Sequence, residues 1–482
     1  MPEAIKHQES LEHVRFAKTQ HLWALGVGTV IGGDFFGWQA GLSAGFLGYL
    51  INLGIASLFY MLLAFSIAEL STAIPCGGGP YVFAQRAWGP GAAYFAGLAE
   101  ALKVVVVVAI ACSANSGYMN EVLGLSSSVS PLWWVLFCGI FVLLNIGGVA
   151  MSFNIQVVAT CLSVLFLVIF YIGAAFHVDY DKWIVAENWE FQGGVGGLFS
   201  GFSFAMWFFF GIEELPLAVE ETIDPATHMP RGIILSFVSL CTLAFLTLFF
   251  NTAIAPGAVG IMTSLAPLFE GYKTIFGDTS AVRGVSVLLI IGLLSSFHSF
   301  LYAMGRLLYA MAREGILPSA LAKLHPTRHT PHVALLSGTS LGLLLAIVLH
   351  FTIGDAVMTA VLINLSLIGA LVSYAFQMSS FIKLRWSAPD MERPYKSPFG
   401  LPGAVVCFLM VFVILASIVY QGAQSSDFLV SIVAAAVYFA IAGIVYVYRV
   451  QRSTSTVTSD SGSLQDNLMS PSVESFPASN AA

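Results

Sequence analysis

Apolar residues in this chain fall into long blocks separated by short polar breaks. They show neither the period-two alternation of half-buried strands nor the narrow stripe of a soluble amphipathic helix. A hydrocarbon layer about 30 Å thick needs about 20 helical residues. Twelve blocks meet that length, at 21–44, 47–70, 92–119, 132–150, 156–177, 197–220, 232–254, 283–308, 333–351, 357–381, 402–421 and 428–448. The pattern predicts an all-α, multi-pass integral membrane protein with twelve transmembrane helices. The division between the first two blocks rests on Gly41, Ser43 and Gly45 alone.

Composition agrees and narrows the class. Apolar and aromatic residues make up 57% of the 482 positions and charged residues 9%, against about 25% charged in an average soluble domain. A soluble enzyme, a nucleic-acid binder and a disordered scaffold are poor fits. The net charge of -7 says less than the placement of the charges. Of the 19 Lys and Arg, fifteen fall in segments or span ends on the N-terminal side of the predicted membrane. Three (Lys182, Lys273 and Arg283) fall on the other side, and Lys103 lies inside the third block. That asymmetry places both termini in the cytoplasm and supports an even number of spans. The first twenty residues are polar and show no cleavable leader, and the six cysteines form no CxxC pair. The predicted organisation is a cytoplasmic segment over 1–20, a ten-helix core over 21–381, two further helices over 402–448 and a Ser-rich disordered tail over 453–482.

Two blocks are interrupted. The first contains GVGTVIGGDFFGW, with Gly26, Gly28, Gly32, Gly33 and Gly37 around Asp34; the sixth contains FFFGIEELPLAVEE, with Gly211, Glu213, Glu214 and Pro216. Non-helical backbone at membrane depth is tolerated only where it is buried in protein or lines a cavity. Two broken helices therefore predict a midplane cavity, with close helix packing as the competing use of the glycines. The breaks fall in the first and sixth spans, and a five-helix repeat necessarily inverts its second copy. That is the layout of secondary transporters whose substrate sits between discontinuous helices.

Five ionisable residues lie at membrane depth: Asp34, Glu100, Lys103, Glu213 and Glu214. Each costs at least about 2.5 kcal/mol there and needs a partner or a task. Glu100 and Lys103 are spaced i, i+3 and can neutralise each other on one helix face. Glu69 and Arg306 sit near span ends, where they would snorkel to the interface. Asp34 would repel a substrate carboxylate and attract an ammonium; a unit pair about 4 Å apart at an effective dielectric near 20 gains about 4 kcal/mol before desolvation. The competing role for Asp34, Glu213 or Glu214 is to carry a coupling proton. The run Trp207, Phe208, Phe209 and Phe210 can offer a cation–π face, although consecutive helical residues diverge and at least two of the four must pack elsewhere. His325, His329 and His332 flank Arg328 in a basic loop, where solvation competes with metal binding.

Several separated strings carry a family resemblance: VIGGDFFGW (30–38), AELSTAIPCGGGPYVFAQRAWGP (68–90), MWFFFGIEELPLAVEETIDPATHMPRGI (206–233), LYAMAREGILP (308–318), TPHVALL (330–336) and MERPYKSPFGLPG (391–403). From about His21 to Arg449 the chain resembles the amino acid-polyamine-organocation transporters, and among them the ethanolamine permease group. The resemblance implies a leucine-transporter-type fold, alternating access, and a substrate held by Gly32, Gly33 and Asp34 on one side and Phe210, Gly211, Ile212 and Glu213 on the other. Glu100, Lys103 and Glu214 would stand beside the site or serve coupling. Many amino-acid members carry a coupling Lys in the fifth helix, but ATCLSVL has none, with Ser163 near that place. Ser295, Ser296 and Ser299 could assist a sodium ion, with hydrogen bonds back to their own helix as the competing use.

The expected function is secondary transport of ethanolamine or a similar small cationic amine across the cell membrane, with Asp34 as counter-ion and H+ or Na+ as the possible coupling ion. The alternative is an amino-acid or polyamine transporter or exchanger of the same fold. A membrane-embedded sensor or enzyme is disfavoured, since the sequence has no P-loop and no metal-ligand spacing beyond the loop histidines; no cofactor, metal or nucleic-acid partner is expected.

Overall fold

The computed structural model describes residues 15–468. Eleven of its helical segments are long and apolar enough to cross a membrane, the first of them Phe46–Ala73 and the last Phe428–Arg449. The first predicted span is built differently, from Thr19–Val30, a four-residue turn of helix Gly32–Phe35 and a 3-10 segment Trp38–Ala44. Each piece is shorter than the roughly 20 residues a crossing needs; end to end they supply the twelfth span.

Ends are set by local chemistry. The third span, Pro90–Leu123, opens on a proline at its first position and closes on Gly124 at φ 66°, where a left-handed residue terminates a helix without steric penalty. It packs against the eighth (Ser280–Leu288 and Ile291–Arg313), ninth (His332–Ile353) and tenth (Asp355–Ser387) spans. The first span packs against the fifth (Val149–Ala174), seventh (Pro225–Thr252) and eighth. The sixth span has two halves: Gly194–Trp207 packs against Trp38–Ala44 of the first span and against the second span, and the 3-10 segment Ile212–Ala218 packs against Thr19–Val30 and the second, seventh and eighth spans.

Three features depart from expectation. A nine-residue helix, Pro80–Trp88, packs against the third and tenth spans; it is too short for a span-length pattern to register. Glu69 and Arg306 do not snorkel. Glu69 is 1% exposed and receives Arg385 Nη2 at 2.6 Å, Arg393 Nε at 3.2 Å and the Ser397 amide at 2.8 Å. Arg306 is ion-paired with Glu221. Both lie among opposite charges that their own helices do not carry. The last helix, Ser426–Leu468, passes the predicted end at 448, so residues 453–468 of the predicted irregular tail are helical; extending an existing helix needs no new nucleus. Residues 469–482 of that tail and 1–14 of the N-terminal segment lie outside the described residues. By internal contacts the chain forms two units, 1–435 and 436–482, and the sites below belong to the first.

Candidate functional site

The first break begins within the glycine string. The helix that carries Gly26 and Gly28 ends at Val30; Ser296 then stands between the Gly28 carbonyl and the Gly32 amide, and after one further turn, Gly32–Phe35, Phe36 is extended, at φ -160°, and Gly37 turns at φ 97°. Gly26 and Gly28 serve close packing: a Cβ at Gly26 would lie 2.5 Å from Ser236 Oγ, and one at Gly28 would run into the Gln156 side-chain amide. Gly33 serves the site. Its Cβ would lie 2.8 Å from the Trp207 carbonyl oxygen, so only glycine lets the two broken helices meet there. The second break occupies 208–211 and ends at Gly211, φ 113°.

Between the breaks lies a narrow cavity of about 40 Å³. The first span lines it with Thr29, Val30, Gly32, Gly33 and Phe36, and the sixth with Trp207 and Phe210. The third span adds Val107, Ile110, Ala111, Ala114 and Asn115; the eighth adds Leu293, Ser296, Phe297 and Phe300. No charged side chain lines it. Phe36 also borders a second, larger cavity of about 630 Å³ reached past Gln39, Ser113, Asn120, Glu121, Ser264 and Thr359. Glu121 is the one charged residue lining this vestibule and accepts from Ser264 Oγ and the Leu265 amide, each at 2.7 Å. Trp207 stacks on Phe210 with centroids 5.2 Å apart and donates from Nε1 to the Phe36 carbonyl at 3.0 Å, which ties the two breaks together where the cavities adjoin.

The predicted residues thus separate into three groups. Gly32, Gly33 and Phe210 share the central cavity. Asp34, fully buried, lines neither cavity; its Oδ1 accepts from Thr247 Oγ1 at 2.8 Å, and Oδ2 has no hydrogen-bond partner. Tyr171 lies beyond, 2.7 Å from Thr247 Oγ1. Glu213 belongs to a charge cluster, and neither it nor Ile212 lines the cavity. Lys103 Nζ donates to Glu213 Oε1 at 2.9 Å, lies 2.6 Å from Glu214 Oε1 and pairs with Glu100. Tyr374 of the tenth span donates to Glu213 Oε1 at 2.5 Å, and Tyr60 of the second lies 3.2 Å from Tyr374. One ammonium meets three carboxylates, with Lys103 and Glu100 fully buried. Phe210 joins the cluster to the cavity, since Lys103 Nζ is 5.9 Å from its ring centroid.

Three amides at the breaks are engaged. Gly211 N–H donates to Glu213 Oε2 at 3.0 Å, Gly37 N–H to Gln39 Oε1 at 2.8 Å and Gly32 N–H to Ser296 Oγ at 2.8 Å. Ser296 in turn donates to the Gly28 carbonyl at 3.0 Å, so this hydroxyl bridges two spans and does not return to its own helix. Ser295 Oγ accepts from Gln156 Nε2 at 2.8 Å, and Gln156 also donates to Thr160 Oγ1 at 3.1 Å, while Thr160 donates to the Ala24 carbonyl at 2.8 Å. Ser299 Oγ has no partner, and Ser163 bonds back to Ala159 of its own helix. The histidine loop holds no group of three or more metal-ligating side chains among the described residues.

Phe208 and Phe209 pack away from the cavity, Phe208 against Trp38 at 5.6 Å and Phe209 against Tyr60 and Phe237 at 5.4 and 6.0 Å. Sequence reasoning missed Asn115, Ser113, Glu121 and Gln156. For Asn115 and Gln156 the available signal was an uncharged polar side chain in the middle of an apolar span.

Comparison with known proteins fits this architecture. The family model described as "Amino acid permease" matches residues 21–468. An uncharacterised transporter of Rhizobium meliloti is 26% identical over 457 residues, covering 90% of this chain and 94% of that protein. A branched-chain amino acid permease of Bacillus subtilis is 28% identical over 425 residues, 82% and 86% of the two chains. The Asc-type amino acid transporter 1 of Mus musculus is 30% identical over 364 residues, 72% and 66%. Twelve spans, broken first and sixth helices and a match over most of the length make the chain a membrane transporter, not an enzyme, and it belongs to the amino acid permease family.

Proposed function

We propose that the protein is a secondary transporter for ethanolamine or a similar small amine without a carboxylate, moving it across the cell membrane by alternating access with both termini in the cytoplasm. The observation that carries this reading is the state of the amides at the two breaks. Helix ends freed by a break favour anions, and a zwitterionic substrate would place its carboxylate there. In this chain Glu213, Gln39 and Ser296 already occupy the amides of Gly211, Gly37 and Gly32. The fixed charges around the cavity are mostly acidic, and Asp34 keeps a buried carboxylate oxygen without a hydrogen bond.

A second reading, transport of a neutral amino acid, draws on the largely apolar lining and on the amino-acid transporters among the relatives. Uptake of labelled ethanolamine, challenged with choline, putrescine, alanine and glutamate, separates the two. Ethanolamine should be carried and alanine should compete weakly; strong competition by alanine without ethanolamine uptake overturns the amine reading. Because the Ser295 hydroxyl already accepts from Gln156, uptake should persist when Na+ is replaced by N-methylglucamine. Loss of uptake would show that sodium drives it.

A further inference from the structure

Four polar side chains line the central cavity: Thr29, Asn115, Trp207 and Ser296. Three have spent their donors. Thr29 donates to the Leu25 carbonyl at 2.6 Å, Trp207 to the Phe36 carbonyl at 3.0 Å and Ser296 to the Gly28 carbonyl at 3.0 Å. Asn115 is 1% exposed, and neither its Nδ2 nor its Oδ1 has a hydrogen-bond partner. A buried amide left unpaired is expensive, and such groups are rare in folded proteins. Asn251 and Asn364 are also buried without partners, but neither lines this cavity.

We infer that Asn115 is the residue that reads a hydroxyl group on the substrate. An amide offers a donor and an acceptor side by side; its complement is a group that accepts and donates from one atom. A hydroxyl does this, whereas an ammonium only donates and a methyl does neither. Asn115 reaches the cavity from the third span, alongside Ala111 and Ala114, whose small side chains leave its amide room. The site thereby selects hydroxyalkylamines over alkylamines of the same size. Identifying the carrier of the hydroxyl as an amine rests on the function proposed above; the hydroxyl recognition itself does not.

The test measures discrimination between matched pairs in cells making the wild type or Asn115→Leu. Ethanolamine and ethylamine form one pair and serine and alanine the other, each as a competitor of uptake. In the wild type the hydroxyl-bearing member should compete about ten- to a hundredfold better, the range for a hydrogen bond whose loss strands a buried group. In Asn115→Leu the hydroxyl-bearing competitor should weaken by that factor while its partner holds or improves, so that the pair converges. Leucine is of similar size and removes an unpaired polar group, so thermal unfolding of the purified protein should be unchanged or later. Asn115→Ser, a smaller hydroxyl donor, should retain an intermediate preference. A variant that lowers both members equally, or a wild type that discriminates within neither pair, overturns the inference. If only the serine–alanine pair discriminates and converges, Asn115 keeps its role and the amine reading falls.

Discussion

At the residue scale the question is what Asp34 does from a position that lines neither cavity. Gly32 and Gly33 present backbone to the cavity, while the Asp34 carboxylate faces the seventh span and accepts from Thr247 at 2.8 Å. Its charge therefore acts on a substrate from behind the Gly32–Gly33 backbone, in a medium that screens poorly. Asp34→Asn isolates that charge. The asparagine carbonyl can still accept from Thr247, so insertion and folding should persist, while uptake of a cationic amine should fall at least about tenfold, equivalent to about 1.4 kcal/mol. Uptake assayed alongside surface expression checks this; unchanged uptake at normal expression would confine Asp34 to a structural role.

At the element scale the second half of the sixth span is tied to the third and tenth spans by a buried charge cluster. Its break delivers Glu213 and Glu214 to Lys103 of the third span, and Tyr374 of the tenth closes the group. Removing the one cation would strand three carboxylates, and breaking a buried pair costs about 3–5 kcal/mol. Lys103→Met should therefore lower the melting temperature sharply or abolish surface expression, and Lys103→Arg should recover part of it. A Lys103→Met protein as stable as wild type would mean that the acids do not depend on this lysine. Much of this level was legible in the sequence. Span-length apolar blocks gave the helices, and glycines beside acids gave the two breaks. Glu100 and Lys103 showed as a pair because their contact is local, at i, i+3. Their union with Glu213 and Glu214, more than a hundred positions away, was hidden because no periodicity encodes contacts between distant spans. The same blindness turned Glu69 and Arg306 into expected snorkelling residues, since their partners lie on other elements. Asn115 escaped notice for another reason: a neutral amide barely disturbs an apolar block, and only the cavity shows that it is unpaired.

At the scale of the whole molecule, the two ends of the site differ. The 630 Å³ vestibule opens at the end where the third span finishes, near Asn120 and Glu121. The opposite end is shut by contacts that converge on the stretch after the sixth-span break. Glu221 pairs with Arg306, and its carbonyl accepts from the amides of Phe16 and Ala17 at 3.0 and 2.9 Å. Glu220 accepts from the Gly77 amide at 3.2 Å and lies 3.7 Å from Arg313. Neutralising Glu221 leaves Arg306, 12% exposed, without its counter-charge, and the several kcal/mol at stake is of the size needed to move a two-state equilibrium from one side to the other. Glu221→Gln should therefore favour the conformer open at this end. The readout is thiol labelling of Ala111→Cys, which lines the central cavity, in a background without the exposed Cys76 and Cys161. Impermeant reagent should label it from the vestibule end in the parent protein, and Glu221→Gln should slow that reaction and speed labelling from the other end. No change at either end would show that the Arg306–Glu221 pair is not what keeps this end closed. Faster labelling from both ends, with the buried Cys112 reacting as well, would mark general loosening and equally remove the pair's assigned role as the latch.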